Sequence, residues 1–262
     1  TGTGASFPAL LIEECKVVFN KTTGHSLTYA AAGSGTGRDG SDKQLGHIWF
    51  SDTAHTGSTA RASLVHIPAA AAPIAVLHNM PARAQLYLSP VTAAKIFSGE
   101  ISRWNDPAIL KDNNRSVTEV IYKKDRNGDI IKDKAGKAVV LRTAKKNISY
   151  TLPNQPITVV YRSTSSGTSQ GLQEYLYENG QTSFPAASGT WAGVKTGASV
   201  ALSTDMAYKT KNTPNSIGYV DLSDIDVKVG RVSIKNAAGK FVKPSVAAAA
   251  TMLSKQTINT NG

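Results

Sequence analysis

The chain has 262 residues, 40% of them apolar and 18% charged, which suits one large domain or two modest ones. No stretch approaches the roughly 20 apolar residues that a membrane span needs, and the single cysteine, Cys15, excludes an internal disulfide. A net charge of +11 fits an anionic partner. The cations are dispersed, however, and the densest stretch, 123–147, is broken by Asp125, Asp129 and Asp133 without zinc spacing or an RNA-binding aromatic pattern, so no nucleic acid is expected.

Taken in chain order, GTGASFPALLIEECKVVFN (2–20) reads as a Gly-rich loop running into an amphipathic helix, with Cys15 as a small apolar member of it. The chain opens inside that motif with no leader before it, and reads as a mature or trimmed product. SLTYAAAG (26–33) is a strand ending at a glycine. GSGTGRDGSDKQLG (33–46) is a second Gly-rich loop opening a helix, and HIWFSDT (47–53) is a strand ending in a polar cluster. Repeated strand–loop–helix units predict an α/β fold.

APIAVLHN (72–79) is a buried strand. In SPVTAAKIFSGEISRWNDPAIL (89–110), Ser89 caps a helix with Val91, Ala94, Ile96 and Phe97 on its apolar side, and Gly99 ends it. PITVVYR (156–162) is the next strand. It feeds STSSGTSQGLQEYLYENG, a Ser/Gly loop opening a helix with Leu172, Tyr175 and Leu176 as its buried stripe. NSIGYVDL (215–222) is a late strand. KDRNGDII (124–131), KDKAGKAV (132–139) and KNAAGKFV (235–242) repeat one pattern, Lys, then Asp or Asn, then Gly three positions on, which predicts hairpin turns. Residues 118–150 read as a hairpin insertion. Its Asp125–Asp129 segment lacks the glycine offset and the terminal glutamate of a calcium loop.

Three junctions share one chemistry: Gly4-Ala5-Ser6-Phe7, Gly33-Ser34-Gly35-Thr36-Gly37 and Ser165-Ser166-Gly167-Thr168 are each small, hydroxyl-rich and placed just before a helix. One such loop is ordinary N-capping; three that converge can bind an oxyanion through free backbone N–H groups. GSGTG lacks the dinucleotide spacing, no Walker loop or GxSxG elbow is present, and His25, His47, His55, His66 and His78 show no metal spacing, so neither catalytic set, metal nor cofactor is expected. Asp52 and Arg162 each end an apolar strand. Either could be half of a surface salt bridge, yet strand C-termini are where open α/β sheets place ligands. An arginine fork suits a tetrahedral oxyanion. A carboxylate beside it suits an anion that still carries a proton, as phosphate does near neutral pH and sulfate does not. The mismatch leaves a buried acceptor unpaired at about 1–3 kcal/mol or more.

GTGASFP, GSGTG, FSDT, IAVLHN, KIFSGEISRWNDPAI, ITVVYRSTSSGTS and TPNSIGYVD, in that order, resemble the PstS-type phosphate-binding proteins of bacterial phosphate ABC transporters, and the VVYR-x-x-SSGT form is similar to the DING-type proteins. The resemblance implies a two-lobed type II periplasmic binding protein fold, α/β with mixed, mainly parallel sheets and a two-strand hinge. It divides the chain into a first lobe (1–72), a second (73–222, with the insertion) and a return segment to the first (223–262) shorter than in the family. By the same resemblance Ser6, the Phe7 N–H, Ser34, Arg162, Ser166, Gly167 and Thr168 donate to phosphate, while Asp52 accepts its proton and pairs with Arg162. The implied partners are inorganic phosphate and an ABC permease, in the periplasm or at the cell surface, with a partner strand or assembly completing the short C-terminus. Thr164 stands where many family members have an acidic residue that holds the arginine, so a less restrained Arg162 is expected. Reuse of the fold as a secreted structural or adhesive module, a phosphatase-like enzyme, and a sulfate or molybdate binder are the competing readings.

Overall fold

The first fifty residues build a small parallel unit. In the computed structural model, which describes residues 1–56, 60–80, 85–180 and 184–255, β1 (Gly2–Gly4) leads to α1 (Ala9–Thr23), β2 (Tyr29–Ala31), α2 (Ser34–Asp42) and β3 (Ile48–Phe50). β1 lies between β2 and β3 and pairs with both in parallel, Thr3 opposite Ala30 and Trp49. Glycines let α2 lie on this sheet, since a Cβ at Gly37 would run into the Phe50 carbonyl and the Gly4 Cα. Close backbone packing therefore replaces an apolar layer: Ala5 and Ile12 are the unit's buried hydrophobics. The amphipathic α1 does not bury its stripe. Leu10, Leu11, Val17, Val18 and Phe19 are exposed, as is Cys15.

The rest of the chain forms a larger body. β4 (Ile74–His78) and β5 (Gln85–Leu88) precede α3 (Pro90–Ser98), whose start and stop follow the sequence. The Ser89 hydroxyl accepts the Thr92 N–H, and Gly99 ends the helix in the left-handed region at φ 89°. Short α4 (Pro107–Asn113) is capped by Asp106. An antiparallel ribbon follows, β6 (Arg115–Tyr122) with β7 (Val140–Ile148). β8 (Thr158–Val159) and β9 (Tyr161–Arg162) split the expected strand at Val160 and lead into α5 (Gly167–Asn179). β10 (Ser199–Val200), α6 (Thr204–Asn212), β11 (Ser216–Asp221), β12 (Gly230–Lys235), β13 (Phe241–Val242) and α7 (Val246–Leu253) complete the described chain.

Its main sheet runs β13-β12-β4-β11-β8, with β5 against β12. β4 is flanked by antiparallel β11 and β12, while β8 and β5 join in parallel. Every residue of β11 is buried, as a strand covered on both faces must be. Trp104, Phe97, Leu77, Leu86, Ile109 and Tyr219 fill one continuous core between this sheet and α3 to α6. The expected return of 223–262 to the first sheet is corrected here. Among the described residues β12 and β13 extend the body's own sheet, and α7 borders the same groove as Ile74, Val232 and Val242.

Candidate functional site

The small unit meets the body through polar contacts, and the residues singled out in the sequence supply most of them. Ser6 ends β1's loop just before α1, Ser34 is the first residue of α2, and Ser166 caps α5 ahead of Gly167 and Thr168. Three helix N-termini thus face one another, and each leaves first-turn N–H groups without intrahelical acceptors. Glycine makes the approach possible. A Cβ at Gly167 would sit 2.5 Å from the Asp52 Cβ, and one at Gly33, already at φ 101°, 2.6 Å from the Ser165 carbonyl.

Arg162 lies at the centre and is 2% exposed. Its Nε donates to the Ala201 carbonyl at 3.0 Å, its Nη1 to Ser166 Oγ at 3.1 Å and, at 3.5 Å, to Ser6 Oγ, and its Nη2 to Thr164 Oγ1 at 3.2 Å. Thr164 in turn donates to the Ala201 carbonyl at 2.7 Å. The threonine therefore restrains the guanidinium, through a neutral acceptor instead of a carboxylate. None of the ion pairs among the described residues involves Arg162; the expected direct pairing with Asp52 is not formed. Burial alone pushes the guanidinium pKa down, and the surrounding negative groups push back.

Ser6 Oγ accepts from the Ser203 N–H and Arg162, and Ser166 Oγ accepts from Arg162 and the Ser169 N–H. Both serines are buried, and among the described contacts neither hydroxyl donates, so each keeps a proton for a further acceptor. Ser34 Oγ accepts the Gly167 N–H at 3.2 Å and the Asp52 N–H at 3.3 Å, joining the unit to α5. Phe7, half-buried, sits one residue on from Ser6. All eight sequence-predicted residues thus fall in or beside one cluster.

Asp52 keeps an open edge toward solvent, but its carboxyl is surrounded. Burial first, then the Asp221 charge, push its pKa up to about 6; bonds from Thr168 and Ser34 and the Arg162 charge hold it down in part. The Thr168 hydroxyl lies 3.3 Å from Asp52 Oδ2 and 2.7 Å from Asp221 Oδ2. Asp221, buried and also bonded to the Ser203 hydroxyl at 3.0 Å, has its pKa raised by burial. Asp224 is pushed up to about 6, again by burial first, with Ser203 and the Arg162 charge holding it down in part. Asp221, Ser203 and Asp224 escaped the sequence reading. The one signal for Asp221 was its place at the end of a mostly apolar strand, where Asp52 and Arg162 also sit on theirs. Arg38 of α2 adds a second bridge, donating to Thr53 Oγ1 at 2.8 Å and to Gln170 Oε1 of α5 at 3.3 Å. No group of metal-ligating side chains occurs among the described residues.

This is a binding geometry: hydroxyl and N–H donors around one buried guanidinium, and a carboxyl poised near 6, set between two bodies. The model of a PBP superfamily domain matches residues 1–261, and the chain belongs to that superfamily. It is 30% identical to the phosphate-binding protein PstS of Pasteurella multocida, over 94% of this chain and 63% of that one, and 28% identical to PstS of Haemophilus influenzae, over 94% and 65%. It thus spans less than two thirds of these relatives, which are named as binding proteins and not as enzymes. The fold is that of an ABC-type phosphate transport receptor from Vibrio cholerae (TM-score 0.59, 15% identity, 96% of this chain and 80% of that one). It is also that of the phosphate-bound periplasmic protein PfluDING (0.66, 20%, 100% and 69%).

Proposed function

We propose that this chain binds inorganic phosphate reversibly between the small unit and the body, as the solute receptor of an ABC importer in the periplasm or at the cell surface. One observation carries the reading: among the described residues Arg162 is buried with no carboxylate at ion-pair distance, beside the Ser6 and Ser166 hydroxyls, whose protons have no described acceptor. A buried cation so placed is costly unless an anion comes to it. Ser6, Ser34 and Ser166, with the N–H groups of Phe7, Gly167 and Thr168, surround the anion and Arg162 donates to it, the Gly167 N–H and the Arg162 Nη1 exchanging their serine acceptors for its oxygens. Asp52 accepts a hydrogen bond from a protonated oxygen, which sulfate lacks near neutral pH. The kinship with PstS proteins supports the choice of ligand and of an importer as destination. No covalent step is needed.

Calorimetric titration of the phosphate-stripped protein tests this. One-site binding of phosphate with at least tenfold discrimination against sulfate is expected, narrowing in Asp52→Asn. A folded sample that takes up no phosphate would falsify the reading.

A further inference from the structure

The ribbon of β6 and β7 stands apart from the site and from the function proposed for it. Between Arg115 and Ile148 lie ten of the chain's 29 Lys and Arg and four of its 18 Asp and Glu, a net +6 of the total +11. Every residue from Tyr122 to Lys137 is exposed. A lone two-stranded ribbon is marginal in water, yet the tip of this one is closed by its own hydrogen bonds. Lys123 N–H donates to the Val139 carbonyl, Val139 N–H to Ile131, and Ile131 N–H back to Lys123, at 2.8 to 2.9 Å, closing a three-way ring at eight-residue intervals. Two turns of one design fill the intervals. In each, an aspartate, Asp125 or Asp133, takes two backbone N–H bonds on Oδ1.

That arrangement turns two of the tip's carboxylates toward the backbone and leaves Lys123, Lys124, Arg126, Lys132, Lys134 and Lys137 outward. The ribbon's one ion pair among the described residues, Lys146 with Glu119 at 3.9 Å, lies below the tip. Between the cations stand large apolar side chains that a free surface does not need: Ile130, Ile131, Val140 and Leu141 are 40–55% exposed. Interleaved cations and aliphatics match a bilayer interface, where headgroup phosphates meet the ammonium groups and the aliphatics reach the acyl boundary. A nucleic acid would call for stacking rings, and Tyr122 is the only aromatic residue within Arg115–Ile148.

We propose that the ribbon tip, 122–141, docks on an anionic lipid bilayer. The test is co-sedimentation of the full chain with phosphatidylcholine vesicles, with and without phosphatidylglycerol. Binding is expected to the anionic vesicles alone and to weaken with salt. The combined Lys124→Glu, Arg126→Glu, Lys132→Glu and Lys134→Glu variant should lose roughly six-hundredfold or more, at roughly fivefold for each cation removed. Ile131→Ser with Leu141→Ser should lose a further few-fold factor that salt does not reproduce. Unchanged phosphate titrations would show each variant folded. The proposal is overturned by no uptake on anionic vesicles, by equal uptake on neutral ones, by a charge-reversed variant that still binds, or by retention of a single-stranded oligonucleotide while vesicles are ignored.

Discussion

The body and the small N-terminal unit solve the same problem differently. The body buries Trp104, Phe97, Leu77 and Tyr219 around a mixed sheet, a core that would hold without any ligand. The unit has three three-residue strands, a glycine-packed α2 and two buried apolar residues. Its described hydrogen bonds to the body are those of Ser6, Ser34, Asp52, Arg38 and Thr53, polar groups in or beside the proposed site. A well-packed core thus lies on one side of the seam, and on the other a unit held to it by polar contacts.

The comparison breaks first at the body's core. Trp104→Ala should destabilise by about 3–5 kcal/mol, because it empties a fully buried ring site and removes the 3.0 Å bond from Trp104 Nε1 to the Asn215 carbonyl, which keeps the Thr158 N–H. Ile12→Ala, in the unit, should cost about 2 kcal/mol or less and leave the body's thermal transition in place. Equal losses in chemical denaturation would erase the distinction. Gly167→Val acts at the seam instead. Its side chain collides with Asp52 across the cleft, so phosphate affinity should fall at least a hundredfold while the transition of the body stays near its original temperature. Retained tight binding would place the site elsewhere.

Acidity separates the regions more finely. Asp52 and Asp224 rise from 3.8 to about 6, so the stability they favour is complete below pH 4 and is lost as pH climbs through 6. His78, buried in the body's central strand, falls from 6.5 to about 4; its contribution is complete above 6.5 and is lost as pH falls toward 4. Melting curves of anion-free protein between pH 4 and 8 should show both limbs. His78→Gln should remove the acid limb, and Asp52→Asn should flatten the other. A steeper loss toward neutral pH in Asp52→Asn would mean the carboxylate is stabilising when charged. The smallest effect is expected from Arg38→Ala. Removing its bridge to Thr53 and Gln170 should cost about 0.5–1.5 kcal/mol of affinity and leave the body untouched.

The sequence displayed what local chemistry dictates. Ser89 and Gly99 bounded α3 because a cap and a left-handed stop act within one turn, and Leu172 and Leu176 were buried as their spacing required. Ser6, Ser34, Ser166 and Gly167 were legible because helix N-termini advertise themselves. What eluded it depends on long-range pairing. Nothing near Gly230–Lys235 says that it joins β4 and not β1, and nothing near Asp221 says that its partners are Thr168 and Ser203. The apolar stripe of α1 foretold burial that no described element provides, since periodicity reports a preference and not a neighbour.

The pairing of β4 with β11 and β12 also sets the order in which the molecule can be made. Ile74 lies opposite Asp221, and Leu77 opposite both Gly218 and Arg231. As the chain emerges at about 5–20 residues per second, the apolar strand Ile74–His78 waits on the order of ten seconds for both neighbours, with two open edges. Synthesis therefore exposes the future centre of the body longest, and a holding chaperone would find its target there.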